Sequence, residues 1–212
     1  MEKQIKSKNR VTSFGEVNTS LKEVNSMLDL VKQETERLDS RFFEPACGDG
    51  NFLVEVLRRK LKTLERMYTE NQYKFEKNLI VCVGSIYGID LLEDNVEAAK
   101  KRLFNLSQNI YKKYFNKYQN LKLIKSLSFI INKNIICGNA LTFKYLISKE
   151  PITFCEWEMI HNKLKRKDFV LSELITYSEK ENKSLFSSKE VSIIKPLKIY
   201  SLVKYDEAFK TC

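Results

Sequence analysis

Residues 41–53 read Arg-Phe-Phe-Glu-Pro-Ala-Cys-Gly-Asp-Gly-Asn-Phe-Leu, and few folds accommodate that order. Two aromatic residues lead into an acidic one, a tight glycine loop follows, and an apolar-periodic segment begins at Phe52. A buried strand, a sharp turn and a helix account for the pattern. Gly48 and Gly50 carry no Cβ, so the backbone there can turn tightly and lie close to a bound molecule. The first N–H groups of the following helix have no intrahelical partners and would point at that molecule. The stretch therefore predicts a site for a nucleotide-like cofactor. It is not the full G-x-G-x-x-G of dinucleotide enzymes, because Leu53 holds the third glycine position, and no G-K-[ST] follows as in a P-loop. An ordinary glycine-rich turn of an α/β protein is the plain alternative.

The chain is long enough for one domain with a real core, at 212 residues, 43% of them hydrophobic and 30% charged. It has no apolar run of transmembrane length. Its polar, basic first ten residues are followed by no apolar h-region, so neither a membrane span nor a secretory signal is expected. The five cysteines, Cys47, Cys82, Cys137, Cys155 and Cys212, form no C-x-x-C pair. An odd, scattered set fits a reducing cytoplasm and predicts no metal cluster. The single histidine, His161, rules out a His-rich site. A formal net charge of +10 favours a polyanionic partner, nucleic acid before membrane; a generally Lys-rich composition is the bland explanation of part of it.

Along the chain, residues 1–14 read as a flexible basic arm. Leu21, Val24, Leu28 and Val31 recur at helical spacing, and Ser20 with Glu23 forms a capping box, so a helix should start at Ser20. After the glycine loop, Phe52, Val56, Leu57, Leu61, Leu64 and Met67 give one apolar face, with Arg58, Arg59, Lys60, Lys62 and Arg66 on a solvated one. Residues 71–84 form a second helical piece. Ser85–Leu91 is a short apolar run ending in Asp90, as suits a parallel strand with its carboxylate at the ligand edge. Residues 92–118 continue as a helix, in which Lys112 and Lys113 alternate with tyrosines and can meet phosphates and bases, or simply pack on a neighbour. Asn134–Leu141 is another strand ending at a glycine.

The string from Phe43 to Phe52 resembles motif I of S-adenosylmethionine (SAM)-dependent DNA methyltransferases, above all the adenine-N6 enzymes of restriction–modification systems. Gly15–Ser20 is similar to motif X, Gly88-Ile89-Asp90 to motif II and Gly138–Leu141 to motif III, in the family's order. The resemblance implies an α/β three-layer sandwich with a Rossmann-like, mostly parallel sheet. It also implies SAM as cofactor. Motif X implies Thr19 near the methionine carboxylate, although Asn18 and Ser20 replace the usual aromatic and proline. Glu44, Pro45, Ala46, Cys47, Gly48, Gly50, Phe52, Leu91 and Ala140 would line the cofactor, Asp90 would meet its ribose, and Asn139 its adenine. One carboxylate can accept from both ribose hydroxyls, and an Asn amide can donate and accept.

The family's catalytic [DNS]-P-P-[YFW] is missing. The chain has only Pro45, Pro151 and Pro196, so no catalytic residue is assigned. The fold is accordingly read as incomplete or divergent after motif III. Residues 151–169 look like a hairpin turning at His161-Asn162-Lys163, similar to the tail of short modification subunits that also lack the motif. Lys163, Lys165, Arg166 and Lys167 around that turn are candidate phosphate contacts. Glu156 reads as solvent-facing and Trp157 as a packing residue. Residues 178–190 read as loop, and 193–209 as a last strand or a partner-binding segment. The reading divides the chain into the arm at 1–14, a cofactor domain at 15–177 and an extension at 178–212. It favours a DNA adenine methyltransferase or modification subunit, with DNA as partner and a second chain supplying target recognition or the missing strand. A non-catalytic SAM-binding, DNA-associated protein and an RNA or small-molecule methyltransferase are the alternatives.

Overall fold

A computed structural model describes Arg10, Thr12 and residues 19–176 and 194–212. The arm at 1–14, apart from Arg10 and Thr12, lies outside the described residues, as do the motif X residues before Thr19 and the loop at 178–190.

Three parallel strands form the first sheet: β1 (Phe42–Glu44), β2 (Ile86–Asp90) and β3 (Ile135–Asn139), side by side in that order, with β4 (Lys144–Tyr145) antiparallel on the far edge. Phe43 stands opposite Tyr87, and Ile89 opposite Ile136. The period of two splits these strands into two faces. Phe42, Ile86 and Ile135 join the main core, while Tyr87, Ile89 and Ile136 join a smaller one.

The main core is built by helices. They are α1 (Leu21–Asp29), α2 (Lys32–Glu36), α3 (Asn51–Tyr68), α4 (Gln72–Gly84), α5 (Glu93–Phe115) and α6 (Leu121–Asn134). The start of α1 follows the sequence: the Ser20 hydroxyl accepts from Glu23 N–H, and the Glu23 carboxylate accepts from Ser20 N–H at 2.9 Å. Only Val24 and Leu28 of its apolar stripe are buried. Leu21 and Val31 are 43% and 44% exposed, because α1 is short and lies on α3 at one side. On α3 one of the expected solvated cations is not solvated. Lys60 is fully buried, and its ammonium donates to the carbonyls of Arg37, Leu38 and Ser40 and to Ser85 Oγ. It thereby ties α3 to the segment that enters β1 and to the start of β2. Helix α6 has no counterpart in the sequence reading. Asn120 caps it, and it buries Leu123, Leu127, Ile130 and Ile131.

The second face of the sheet meets no long helix among the described residues. Ile152, Phe154 and Leu171 cover it, from the start of a hairpin and from helical residues 171–176. A three-layer sandwich is the sequence expectation; the described residues supply helices on one face and this mixed cover on the other. The hairpin turns at His161 and Asn162 as read, pairing β5 (Thr153–Ile160) with β6 (Lys163–Val170). Two short strands of the C-terminal segment, β7 (Lys198–Ile199) and β8 (Val203–Lys204), add to β6, and a 3-10 helix at Tyr205–Lys210 packs on α6. The last-strand reading of 193–209 thus holds in two pieces.

Candidate cofactor site

Beyond Glu44 the chain turns through Pro45 and Ala46, and Cys47 N–H donates to Ile89 O at 2.9 Å, continuing the parallel ladder past the end of β1. Gly50 N–H closes the turn onto Cys47 O at 2.9 Å. Gly48 and Gly50 have φ of 53° and 90°, the left-handed region where a side chain would be strained. α3 begins at Gly50 with no side-chain cap, so the N–H groups of its first turn are left for a ligand's acceptors. Phe52 packs partly against the core. The Cys47 thiol faces inward beside Gly88, and burial, reinforced by the Asp90 carboxylate, pushes its pKa far up. It is a packing group and not a nucleophile. Burial also raises the Glu44 carboxyl, with the Ala46 N–H working the other way.

Asp90 joins this loop to the next helix. Its Oδ2 accepts from Gly48 N–H at 2.9 Å, and its Oδ1 from Leu92 N–H at 2.9 Å and Asn95 Nδ2 at 3.2 Å. A carboxylate offers about four acceptor directions, so these three bonds leave room for a further donor. Leu91 is partly exposed beside it. The segment before α1 reaches the same loop, because Asn51 Nδ2 donates to Thr19 O at 3.2 Å. Asn139 ends β3, where its Oδ1 accepts from Leu141 and Thr142 N–H at 2.8 and 3.1 Å. Its acceptor is thus spent on a turn, and its amide N–H₂ is what it offers a ligand. Ala140 packs into the smaller core. The structure therefore brings Thr19, Gly48, Gly50 and Asp90 into one bonded assembly, with Asn139 at the end of the neighbouring strand.

Several residues of this site escape a sequence reading. Arg10 forms a two-pronged pair with Asp94, at 2.7 and 3.1 Å, and its guanidinium also reaches Asn95 Oδ1 at 3.3 Å. Asn95 holds Asp90, and Arg102 holds Asp49. Asn95 carried a faint signal, as a polar residue in the first turn after a strand-end Asp. Arg10 and Arg102 carried none, being two among many scattered cations.

The candidate phosphate contacts fare differently. Arg166 is only 4% exposed; it forms a forked pair with Asp168 at 2.7 Å on both arms and donates to Thr211 O. This corrects its assignment as a phosphate contact, because the guanidinium is spent inside the fold. Lys167 lies between Glu156 and Glu158 at 3.3 and 2.8 Å. Lys113 pairs with Glu65 at 2.8 Å, and Lys112 bonds Gln108 within α5. Asn95 and Lys112 are separated by 17 helical residues, roughly 25 Å along the axis, so these two lysines stand at the end of α5 away from Asp90. Lys163 is exposed and Lys165 half-buried. Trp157 packs on Phe129 and donates to Asn134, and Glu156 pairs with Arg41. Among the described residues no His, Cys, Asp and Glu cluster has the makings of a metal site, and no helix is long and apolar enough to cross a membrane.

Compared with known proteins, residues 18–159 match the family model described as "MmeI, DNA-methyltransferase domain". The chain is also 31% identical, over 105 residues, to a protein of Methanocaldococcus jannaschii described as a type II restriction enzyme and methyltransferase. That match covers 48% of the chain and 8% of the archaeal protein, so the chain spans a small part of its relative's length. No solved structure matches it.

Proposed function

The chain belongs to the MmeI DNA-methyltransferase domain family, and on that footing we propose that it binds SAM and serves methyl transfer to DNA in a restriction–modification system, with adenine N6 as the acceptor. The observation that carries this reading is the 2.9 Å bond from Gly48 N–H to Asp90 Oδ2. It joins the glycine loop and the ribose-type carboxylate, far apart in sequence, into one cradle. When bound, SAM supplies the sulfonium methyl group.

The chain's own residues would hold and orient it. Asp90 would accept from the ribose at the acceptor direction that its three protein donors leave open. Leu91 and Ala140 flank the adenine, and the Asn139 amide donates to a ring nitrogen. The uncapped start of α3, with Thr19 and Asn51 beside it, receives the carboxylate of the methionine part. Pro45, Ala46, Cys47 and Phe52 shape the floor. Glu44, half-buried at the end of β1, would offer its carboxylate to the sulfonium cation. The full Rossmann-like three-layer sandwich fits this assignment, as does a cytoplasmic setting, where the DNA substrate is.

The group that would hold the target amine is not among these residues. β1 pairs with β2 alone among the described residues, and Phe43 on it is 40% exposed. An open strand edge beside the cofactor loop suits a parallel strand from another polypeptide, and a partner carrying [DNS]-P-P-[YFW] would complete the site there. The test is transfer of labelled methyl from SAM, with DNA and RNA offered in parallel, by the chain alone and with such a partner. Adenine-N6 label in DNA that depends on the partner is the expected result. Label in RNA alone, or SAM binding with no transfer under either condition, would replace this reading by one of its two alternatives.

A further inference from the structure

α5 touches the cofactor cradle at three positions, Asn95, Ala99 and Arg102. Spaced by four and three residues, they form one stripe of the helix. Asn95 is 1% exposed and donates to Asp90 Oδ1 at 3.2 Å. Ala99 is fully buried, and its Cβ lies 3.0 Å from the point where a Cβ on Gly50 would stand. Arg102 Nη1 donates to the Asp49 carbonyl at 2.9 Å and lies 3.0 Å from Asp49 Oδ1. That buried oxygen receives no hydrogen bond: the guanidinium proton is aimed at the carbonyl, and the carboxylate is matched by charge alone.

We propose that this stripe is a template that presets the glycine loop and the Asp90 carboxylate before cofactor binds, with Arg102 and Asn95 as positioning residues. The loop has a physical need for one. Asp49 is flanked by two glycines, which have the widest conformational freedom in the unrestrained chain. Left loose, the loop would be ordered at the cofactor's expense, whereas a loop held in advance spares that cost. Arg102 grips the peptide between the glycines, Ala99 supports Gly50 from below with a side chain small enough to let it approach, and Asn95 fixes the carboxylate that Gly48 reaches. Arg10 braces the stripe from outside through Asp94 and Asn95. A lysine at 102 would keep the charge and lose the planar fork.

The template deepens the SAM reading and rests on it for its ligand, so the experiment has a ligand-free arm. In the full chain without SAM, amide exchange at Gly48 and Gly50 should quicken roughly tenfold in Arg102→Ala. Leu57 and Ile136 should stay within about twofold of wild type, and Arg102→Lys should fall between. Ala99→Leu should loosen the same two amides. Calorimetric titration with SAM should then give a dissociation constant raised roughly tenfold by Arg102→Ala. Unchanged exchange at Gly48 and Gly50, or acceleration spread evenly into Leu57 and Ile136, overturns the template. If wild type takes up no SAM while the local acceleration is seen, the cofactor reading fails and the template stands.

Discussion

At Gly88 the sheet has no room for a side chain: an added Cβ would lie 2.7 Å from Leu53 Cδ1 and 3.0 Å from Cys47 Sγ. β2 thus sets how closely the glycine loop and the first turn of α3 approach the sheet. Gly88→Ala should cost about 1–3 kcal/mol in urea unfolding, the usual range for overpacking a tight core, and should weaken SAM binding with it. Normal stability and binding would mean that the loop is not seated there. At the same scale the sequence was legible where the backbone demanded a residue type, as at Gly48 and Gly50, and misleading where charge was read without register. Lys163-Leu164-Lys165-Arg166-Lys167 looks like a basic patch. The period of two that predicts the hairpin also puts Arg166 on the face of Leu164, pointing inward with Asp168 two residues on. Arg166 is a core residue whose charge shows in composition and whose inward direction shows only in the register of the strand.

Among the elements, α3 bears the glycine loop at one end and a buried ammonium near its middle. Burial pushes Lys60 down to about 8 from its ordinary 10.5, although its four oxygen partners keep the site polar. Lys60→Met leaves three backbone carbonyls without their donor and should destabilise by about 3 kcal/mol. The sign of the pH effect follows from the lowered value. Between about 8 and 10.5 the unfolded chain binds more protons at this group than the folded one, so stability from it rises with pH across that window and is lost as pH falls through 8. The gap in unfolding free energy between wild type and Lys60→Met should therefore widen as pH rises through the window; a constant or narrowing gap would count against a buried charge. Elements with a cap or a clear period were readable: α1 from Ser20 and Glu23, α3 from its apolar spacing, the hairpin from two β-prone runs. α6 carries its own local signal, Asn120 as cap and apolar residues at Leu123, Leu127, Ile130 and Ile131, and runs directly into the strand that follows it. β7 and β8, two residues each, exist only through pairing with β6, a contact that no local pattern encodes.

For the molecule as a whole, the C-terminal segment closes the fold. Arg166, paired with Asp168, donates to Thr211 O, Glu76 accepts from Tyr205 and Tyr111, and Ser126 donates to Asp206 O and accepts from Ala208 N–H. Arg166→Met strands the Asp168 charge and should cost about 3–5 kcal/mol, with Arg166→Met/Asp168→Leu recovering much of that; equal losses in the single and double variants would refute the pairing. DNA affinity, in the proposed function, draws on the net charge through solvated cations. Lys163→Ala/Lys165→Ala should flatten the dependence of log K on log salt by about two without changing stability. An unchanged slope would remove the hairpin turn from the interface. The glycine loop and Asp90 of the candidate site were legible at this scale because glycine loops and strand-end carboxylates are local. The clamps at Arg10 and Arg102 reach Asp94 and Asp49 across 84 and 53 residues of sequence, and only the folded topology brings them together. The central claim is that Asp90 and the glycine loop form a SAM site, and calorimetric titration of the purified chain with SAM tests it, with Asp90→Ala and Asp90→Asn compared at matched unfolding midpoints. Saturable binding by wild type, weakened at least roughly tenfold in both variants, is the predicted result; no binding by wild type, or binding indifferent to position 90, would contradict it.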